Sequence, residues 1–298
     1  MPHPDDPARH RPPAAERADD RLCWRDAVVA EPDGFRPLLL DLFRPIGAAT
    51  PVPLIVWIHG GAWRMGTNKR EAPPLAAARI GDRILDAGFA LARITYRLSA
   101  EARFPAQLDD VRAAIRWLRH HAGELGLDAG RFAVWGESAG GHLASMAALA
   151  AGDPGVAVQA AVIWYGPSDL LTMAAQNHPE GLQDHDAPDS PESLLIGGPV
   201  QQRRREAAAA SPVSHVSAAA PPMLLVHGGD DRIVPAGQSE QLHHRLTEAG
   251  ARAGLHIVPG ADHCFVGADL DPLVTEALDF VNRSLGAPDR PEVLRCRP

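Results

Sequence analysis

The chain has 298 residues, 45% of them hydrophobic, enough to bury the core of one large α/β domain. Its formal net charge of −8 gives no basic footprint for nucleic acid or an anionic membrane. The three cysteines, Cys23, Cys264 and Cys296, are too few and too widely spaced for a disulfide framework or a zinc site, and no apolar run reaches the length of a membrane span.

The first twenty residues, "MPHPDDPARHRPPAAERADD", lack the apolar segment of a secretory signal or anchor. Their Pro, Asp and Arg content predicts a disordered leader, residues 1–20. "DAVVAE" and "RPLLLDLFRP" flank the turn signal "PDG" and read as an antiparallel pair. "PVPLIVWIHGG" is a nearly continuous apolar run ending in glycines, the pattern of a strand buried on both faces. "GFALARITY", "RFAVWG", "VQAAVIWYG", "PPMLLVHGG" and "AGLHIVPG" repeat it. Helical patterns alternate with these strands at about 72–87, 105–121, 138–151, 238–249 and 272–285. In the second, Leu108, Val111, Ile115 and Leu118 share one face. The alternation predicts an α/β domain over 21–286, built on a mostly parallel sheet with helices on both faces, and a flexible tail over 287–298. Residues 168–216 hold short helical pieces, acidic loops and prolines but no good strand, and read as a lid insertion. Functional groups are expected beyond the carboxyl ends of the strands.

"GESAG" at 136–140 lies where a buried strand turns into a helix, the context of a nucleophile elbow. A tight turn there presents the Ser138 hydroxyl, requires small neighbours, and brings the N–H groups of a helix N-terminus to a developing oxyanion. A serine needs a base, and "VPGADHCF" sets His263 just past the last core strand. His59 and His227 also end strands, but each precedes glycine and reads as a brace for its turn. The base needs a carboxylate. "HGGDDRIVP" offers both Asp230 and Asp231, in the chain order Ser, Asp, His. Gly60 and Gly61, in "WIHGGAW", allow close backbone approach to a ligand. Trp63, Trp164 and Tyr165 are expected to border the substrate pocket. No phosphate-binding loop, HExxH motif or metal-spaced Cys/His cluster is present, so no cofactor and no metal are expected.

"HGGAW", "ITYRLS", "FPAQLDDVRAAIRWL", "GRFAVWGESAGGHLA", "SPVSHV", "PPMLLVHGGDDRIVP" and "GADHCF" occur in that order over roughly residues 37–285. Together they resemble the α/β-hydrolase superfamily, specifically hormone-sensitive-lipase-type esterases and their bacterial feruloyl- and acetyl-esterase-like branch. The resemblance implies an eight-stranded, mostly parallel sheet with Ser138 as nucleophile and His263 as base. Its "HGxxDxxVP" pattern selects Asp231. It makes Gly60, Gly61 and Ala139 the oxyanion-hole donors and the "LDD" at 108–110 a structural position. "HGGAW" departs from the lipase-type "HGGG" and is also similar to kynurenine formamidases. Cys264 stands where the family often has glycine, and reads as a buried small apolar residue rather than a redox sensor. The implied activity is hydrolysis of short acyl or aryl esters through an acyl-enzyme. The alternatives are an arylformamidase and, with nucleophile and base both present, a less favoured non-catalytic receptor. The expected partner is a small-molecule ester, with no nucleic acid and no membrane; a homodimer stays open, and the location is expected to be cytoplasmic.

Overall fold

The computed structural model describes residues 6–47, 51–149 and 152–286. Its strands are β1 (Glu16–Arg17), β2 (Arg21–Ala30), β3 (Leu38–Pro45), β4 (Val52–Ile58), β5 (Ala90–Ile94), β6 (Leu127–Glu137), β7 (Ala160–Trp164), β8 (Met223–Gly228) and β9 (Ala253–Val258). They form one sheet in the order β1-β2-β3-β5-β4-β6-β7-β8-β9. The pairs from β1 to β5 are antiparallel, and those from β5 through β4 to β9 are parallel. The eight strands implied by the sequence are thus joined by a ninth, the two-residue edge strand β1.

Every residue of β4 is buried, as its unbroken apolar run requires. Side chains alternate across the pleat. Leu54, Val56 and Ile58 enter one core layer, while Ile55 and Trp57 enter the other. The first layer is closed by α3 (Ala106–His120), α5 (Ala139–Ala148) and α8 (Gly237–Glu248). The first of these contributes Leu108, Val111 and Ile115, the second Leu143 and the third Leu242. The other layer is closed by α2 (Ile80–Asp86) and α9 (Leu270–Leu285), through Ile84, Val274 and Leu278.

The segment expected as one helix over 72–87 is two, α1 (Pro73–Ala77) and α2, because Arg79 between them takes a left-handed backbone (φ 51°). Three further short helices are α4 (Ala122–Leu125), after α3, and then α6 (Pro191–Ile196) and α7 (Arg204–Ala209). The last two lie with several 3-10 turns in the 168–216 insertion, which holds no strand among the described residues. In the "LDD" segment, Asp110 is buried and pairs with Arg97 at 2.6 Å.

Residues 6–20 depart from the disordered leader expected of them. Trp117 Nε1 donates to the His10 carbonyl at 2.6 Å, and β1 pairs with β2, so contacts with α3 and the sheet hold a stretch whose composition alone would leave it loose. Residues 1–5 and the expected tail, 287–298, lie outside the described residues. Among the described residues no helix is long and apolar enough to cross a membrane.

Candidate active site

The chain leaves β6 at Glu137, turns through Ser138 and enters α5 at Ala139. Ser138 sits at φ 54°, ψ −123°, a backbone state that costs about 1–3 kcal/mol and persists only where its surroundings impose it. The flanking glycines are part of those surroundings. A Cβ on Gly136 would overlap the Gly140 carbonyl, and one on Gly140 would overlap the Ile58 carbonyl at the end of β4. The elbow therefore touches itself and the neighbouring strand through bare backbone.

Ser138 Oγ lies 3.0 Å from His263 Nε2, and His263 Nδ1 lies 2.7 Å from Asp231 Oδ2. A carboxylate only accepts, so Nδ1 carries the proton, leaving Nε2 to accept from the serine hydroxyl. Asp231 Oδ1 accepts from the backbone N–H of Ile233 and of Val234, each at 2.8 Å. His227 Nε2 donates to the Val234 carbonyl at 2.8 Å and stands 3.3 Å from Asp231 Oδ2, while its Nδ1 accepts from Ser239 Oγ at 2.7 Å. Burial pushes the Asp231 carboxyl up, but hydrogen bonds from His227 and His263 outweigh it and hold the group below the usual carboxylate range. Asp230 is exposed and outside this chain of bonds. His227 thus braces its turn, as expected, and also touches the carboxylate. His59 braces the other turn by donating from Nδ1 to the Gly60 carbonyl at 2.7 Å.

Asp262 fixes the histidine loop. Its Oδ1 accepts from His263 N at 2.7 Å and Arg232 N at 3.0 Å, and its other oxygen pairs with the Arg232 guanidinium. The loops after β8 and β9 are thereby tied together. Cys264, which follows His263, is half-buried, and burial pushes its thiol up to about 12. A thiol held protonated is a poor nucleophile, in keeping with a packing role.

Gly60 does not stand free as an oxyanion donor. Its N–H donates to the buried Glu137 carboxylate at 2.6 Å. Burial pushes that carboxyl up to about 7, against the Gly60 hydrogen bond, which lowers it. Among the described residues the N–H groups of Gly61, Ala62 and Ala139 make no hydrogen bond within the protein. Ala62 and Ala139 line a cavity with Ser138. Ala62 is thus an unbonded backbone donor beside Gly61 and Ala139, and Gly60 is not.

Of the three aromatic residues expected at the pocket, Trp63 lines this cavity and the other two do not. Trp164 is wholly buried at the end of β7, on the face shared by Ala160 and Val162. It packs edge-on against Trp135 (4.9 Å between centroids) and Phe265 (5.2 Å). Tyr165 is wholly buried too, its ring edge-on to His263 at 4.9 Å, a support for that imidazole rather than a wall for a ligand. Trp63 has a partner that sequence reasoning misses. Its Nε1 donates to His142 Nδ1 at 3.2 Å, and His142 Nε2 donates to the Ala210 carbonyl at 2.6 Å. Burial lowers His142 to about 4, so it stays neutral and can do both. The one sequence signal for it is a histidine inside the alanine-rich helix "GGHLAS".

The cavity is small, about 20 Å³, room for one water-sized particle. The insertion supplies Gln183, Pro191 and Glu192 to its wall, and the Asp231 loop supplies Ile233 and Val234. Among the described residues no group of three or more His, Cys, Asp or Glu could hold a metal ion.

The BD-FAE family model matches residues 40–246. Esterase LipQ of Mycobacterium tuberculosis (strain ATCC 25618 / H37Rv) is 32% identical over 282 residues, covering 88% of this chain and 60% of that protein. The chain spans about half to three fifths of the length of the curated relatives it matches. Among solved structures, a truncated form of carbohydrate esterase from gut microbiota superposes with a TM-score of 0.77 at 28% identity, over 93% of this chain and 100% of that one. Thermogutta terrifontis esterase 2 phosphonylated by sarin superposes with a TM-score of 0.67 at 25% identity, over 92% of this chain and 94% of that one.

Proposed function

The chain belongs to the BD-FAE family, and from that premise we propose that it is a serine hydrolase of short-chain acyl or aryl carboxylic esters. The observation that carries the reading is the hydrogen-bonded run Ser138 Oγ–His263–Asp231 at the elbow. As Ser138 Oγ attacks the ester carbonyl, His263 Nε2 takes its proton. The carbonyl oxygen becomes an oxyanion and is received by the N–H of Ala139 and those of Gly61 and Ala62. His263 then gives the proton to the departing alkoxide, leaving an acyl-Ser138 ester. Water, deprotonated by the same nitrogen, attacks that ester, and as the acyl–Oγ bond breaks His263 returns the proton to Ser138 Oγ and the acid is released. Asp231 holds the imidazole in the tautomer this needs and stabilises its charged form. The esterase name of the mycobacterial relative and the phosphonylated state of the Thermogutta neighbour support this chemistry.

Ser138→Ala tests it. The variant should fold normally and lose on the order of 10⁴-fold or more in kcat on 4-nitrophenyl acetate. A fluorophosphonate should label Ser138 in the wild type and leave the variant unlabelled. Retention of more than about a tenth of the rate would remove Ser138 as nucleophile.

A further inference from the structure

The insertion holds a second buried acid–histidine pair beside the serine. His185 Nδ1 lies 3.2 Å from Glu192 Oε1, with the two side chains 1% and 4% exposed. Local hydrogen bonds fix the pair. Ser190 Oγ donates to the His185 carbonyl at 3.0 Å and accepts from Ser193 N at 3.1 Å, capping α6 and setting Glu192 in its first turn. The other oxygen, Glu192 Oε2, is buried and has no hydrogen-bond partner among the described residues. Glu192 also lines the cavity that holds Ser138, Ala139 and Trp63. A buried acceptor left unmet in a native protein is met by a ligand or a bound water, or marks a strained or functional site, and here it stands in a residue that borders the serine's cavity.

We propose that Glu192 Oε2 accepts a hydrogen bond from a hydroxyl close to the ester carbonyl, so that hydroxyl-bearing esters are preferred over hydrocarbon esters of the same size. This rests on the ester-hydrolase reading above and adds a specificity-determining residue to it. The cavity is too small for anything but the few atoms next to the reacting carbon, which places the hydroxyl near the carbonyl. A hydroxyl brings one donor, which Glu192 meets. An ammonium brings three, and beyond Glu192 and Gln183 the walls away from the elbow and the loop after β4 are Pro167, Pro191, Ile233 and Val234, which offer no further side-chain acceptor. The hydroxyl could sit on the acyl or the alcohol part, and matched substrate pairs separate the two.

The experiment measures kcat/KM for 4-nitrophenyl butanoate against 4-nitrophenyl 3-hydroxybutanoate, and for propyl acetate against 2-hydroxypropyl acetate. It uses wild type, Glu192→Met and Glu192→Gln, with folding checked by circular dichroism. In wild type the hydroxylated member should win by about ten- to a hundredfold in one pair, the range of a hydrogen bond to a charged group. Glu192→Met should bring that ratio to within about twofold, and Glu192→Gln, which keeps an amide oxygen, to an intermediate value. The ratio is internal to each variant, so a general loss of activity or stability does not imitate the result. A wild-type ratio near one in both pairs, with ester hydrolysis intact, overturns the role of Glu192 and leaves the esterase reading standing. So does a preference that survives in whichever variants fold. Absence of any ester turnover together with no phosphonate labelling of Ser138 overturns both.

Discussion

The backbone N–H of Gly60 donates to Glu137 Oε1 at 2.6 Å, joining the loop after β4 to the residue that precedes the serine. One carboxyl group thus sets the spacing between the two sides of the site. Burial raises Glu137 from the ordinary 4.5 to about 7. Between those values the folded state holds a proton that the unfolded chain has released. Its contribution to stability is therefore full below about 4.5 and is lost as pH rises to about 7, by about 3 kcal/mol. His59 and His142, each lowered by burial to about 4, act in the opposite sense, since the folded chain binds fewer protons than the unfolded one between about 4 and 6.5. Comparison with Glu137→Gln, which keeps an oxygen for the Gly60 N–H, isolates the carboxyl. The difference in melting temperature, variant minus wild type, should grow from pH 4.5 to 7 and then level off. A difference that stays constant with pH would show that Glu137 titrates as an ordinary carboxylate.

The two neighbouring aspartates should separate cleanly. Asp231→Asn puts an amide where His263 Nδ1 now donates, which favours the wrong tautomer and should lower kcat on the order of 10⁴-fold. Asp230 is exposed, so Asp230→Asn should stay within about twofold of wild type, as surface changes usually do. Steady-state kinetics on one ester settle the point, and a reversed ranking would break the proposed triad.

His142→Phe should loosen Trp63. The change orphans two buried groups, the Trp63 N–H and the Ala210 carbonyl, at a cost of about 1–3 kcal/mol each. A fall in the urea midpoint is expected, together with a broader tolerance of acyl size. An unchanged midpoint would mean that the indole and the carbonyl find other partners.

Much of this arrangement is legible because local pattern and tertiary role coincide. The apolar run of β4 is buried on both faces, and strand–GESAG–helix needs its glycines for backbone contact, so both read directly. What stays hidden depends on distant partners. Gly60 looks like a free donor until Glu137, 77 positions along, takes its N–H. Trp164 ends a strand beside the site, but in a strand buried on both faces the apolar pattern does not say which face a side chain takes. Residues 6–20 have the composition of a loose leader, and distant partners hold them, among them the Trp117 indole on the His10 carbonyl, the His121 ring on the Pro7 carbonyl and the edge at β2. The His185–Glu192 pair lies in a stretch without periodicity, where nothing local announces that two polar side chains will be buried together.

Acyl length gives the last prediction. The cavity beside Ser138 measures about 20 Å³ and is walled by Trp63, itself pinned by His142. An added CH₂ gains about 0.8 kcal/mol only where it meets apolar wall out of water, and here the wall closes after very few atoms. In a 4-nitrophenyl ester series, kcat/KM should therefore be highest for the shortest acyl groups and fall steeply by dodecanoyl. Trp63→Ala, which removes that wall, should move the optimum to longer chains. Esters should also exceed formamides, because an alkoxide or aryloxide leaves more readily than an amine. N-formylkynurenine assayed on the same preparation makes the comparison. A tenfold preference for the formamide would reassign the protein as an arylformamidase, and a long-chain optimum in the wild type would mean that the cavity opens far wider during turnover than its resting volume.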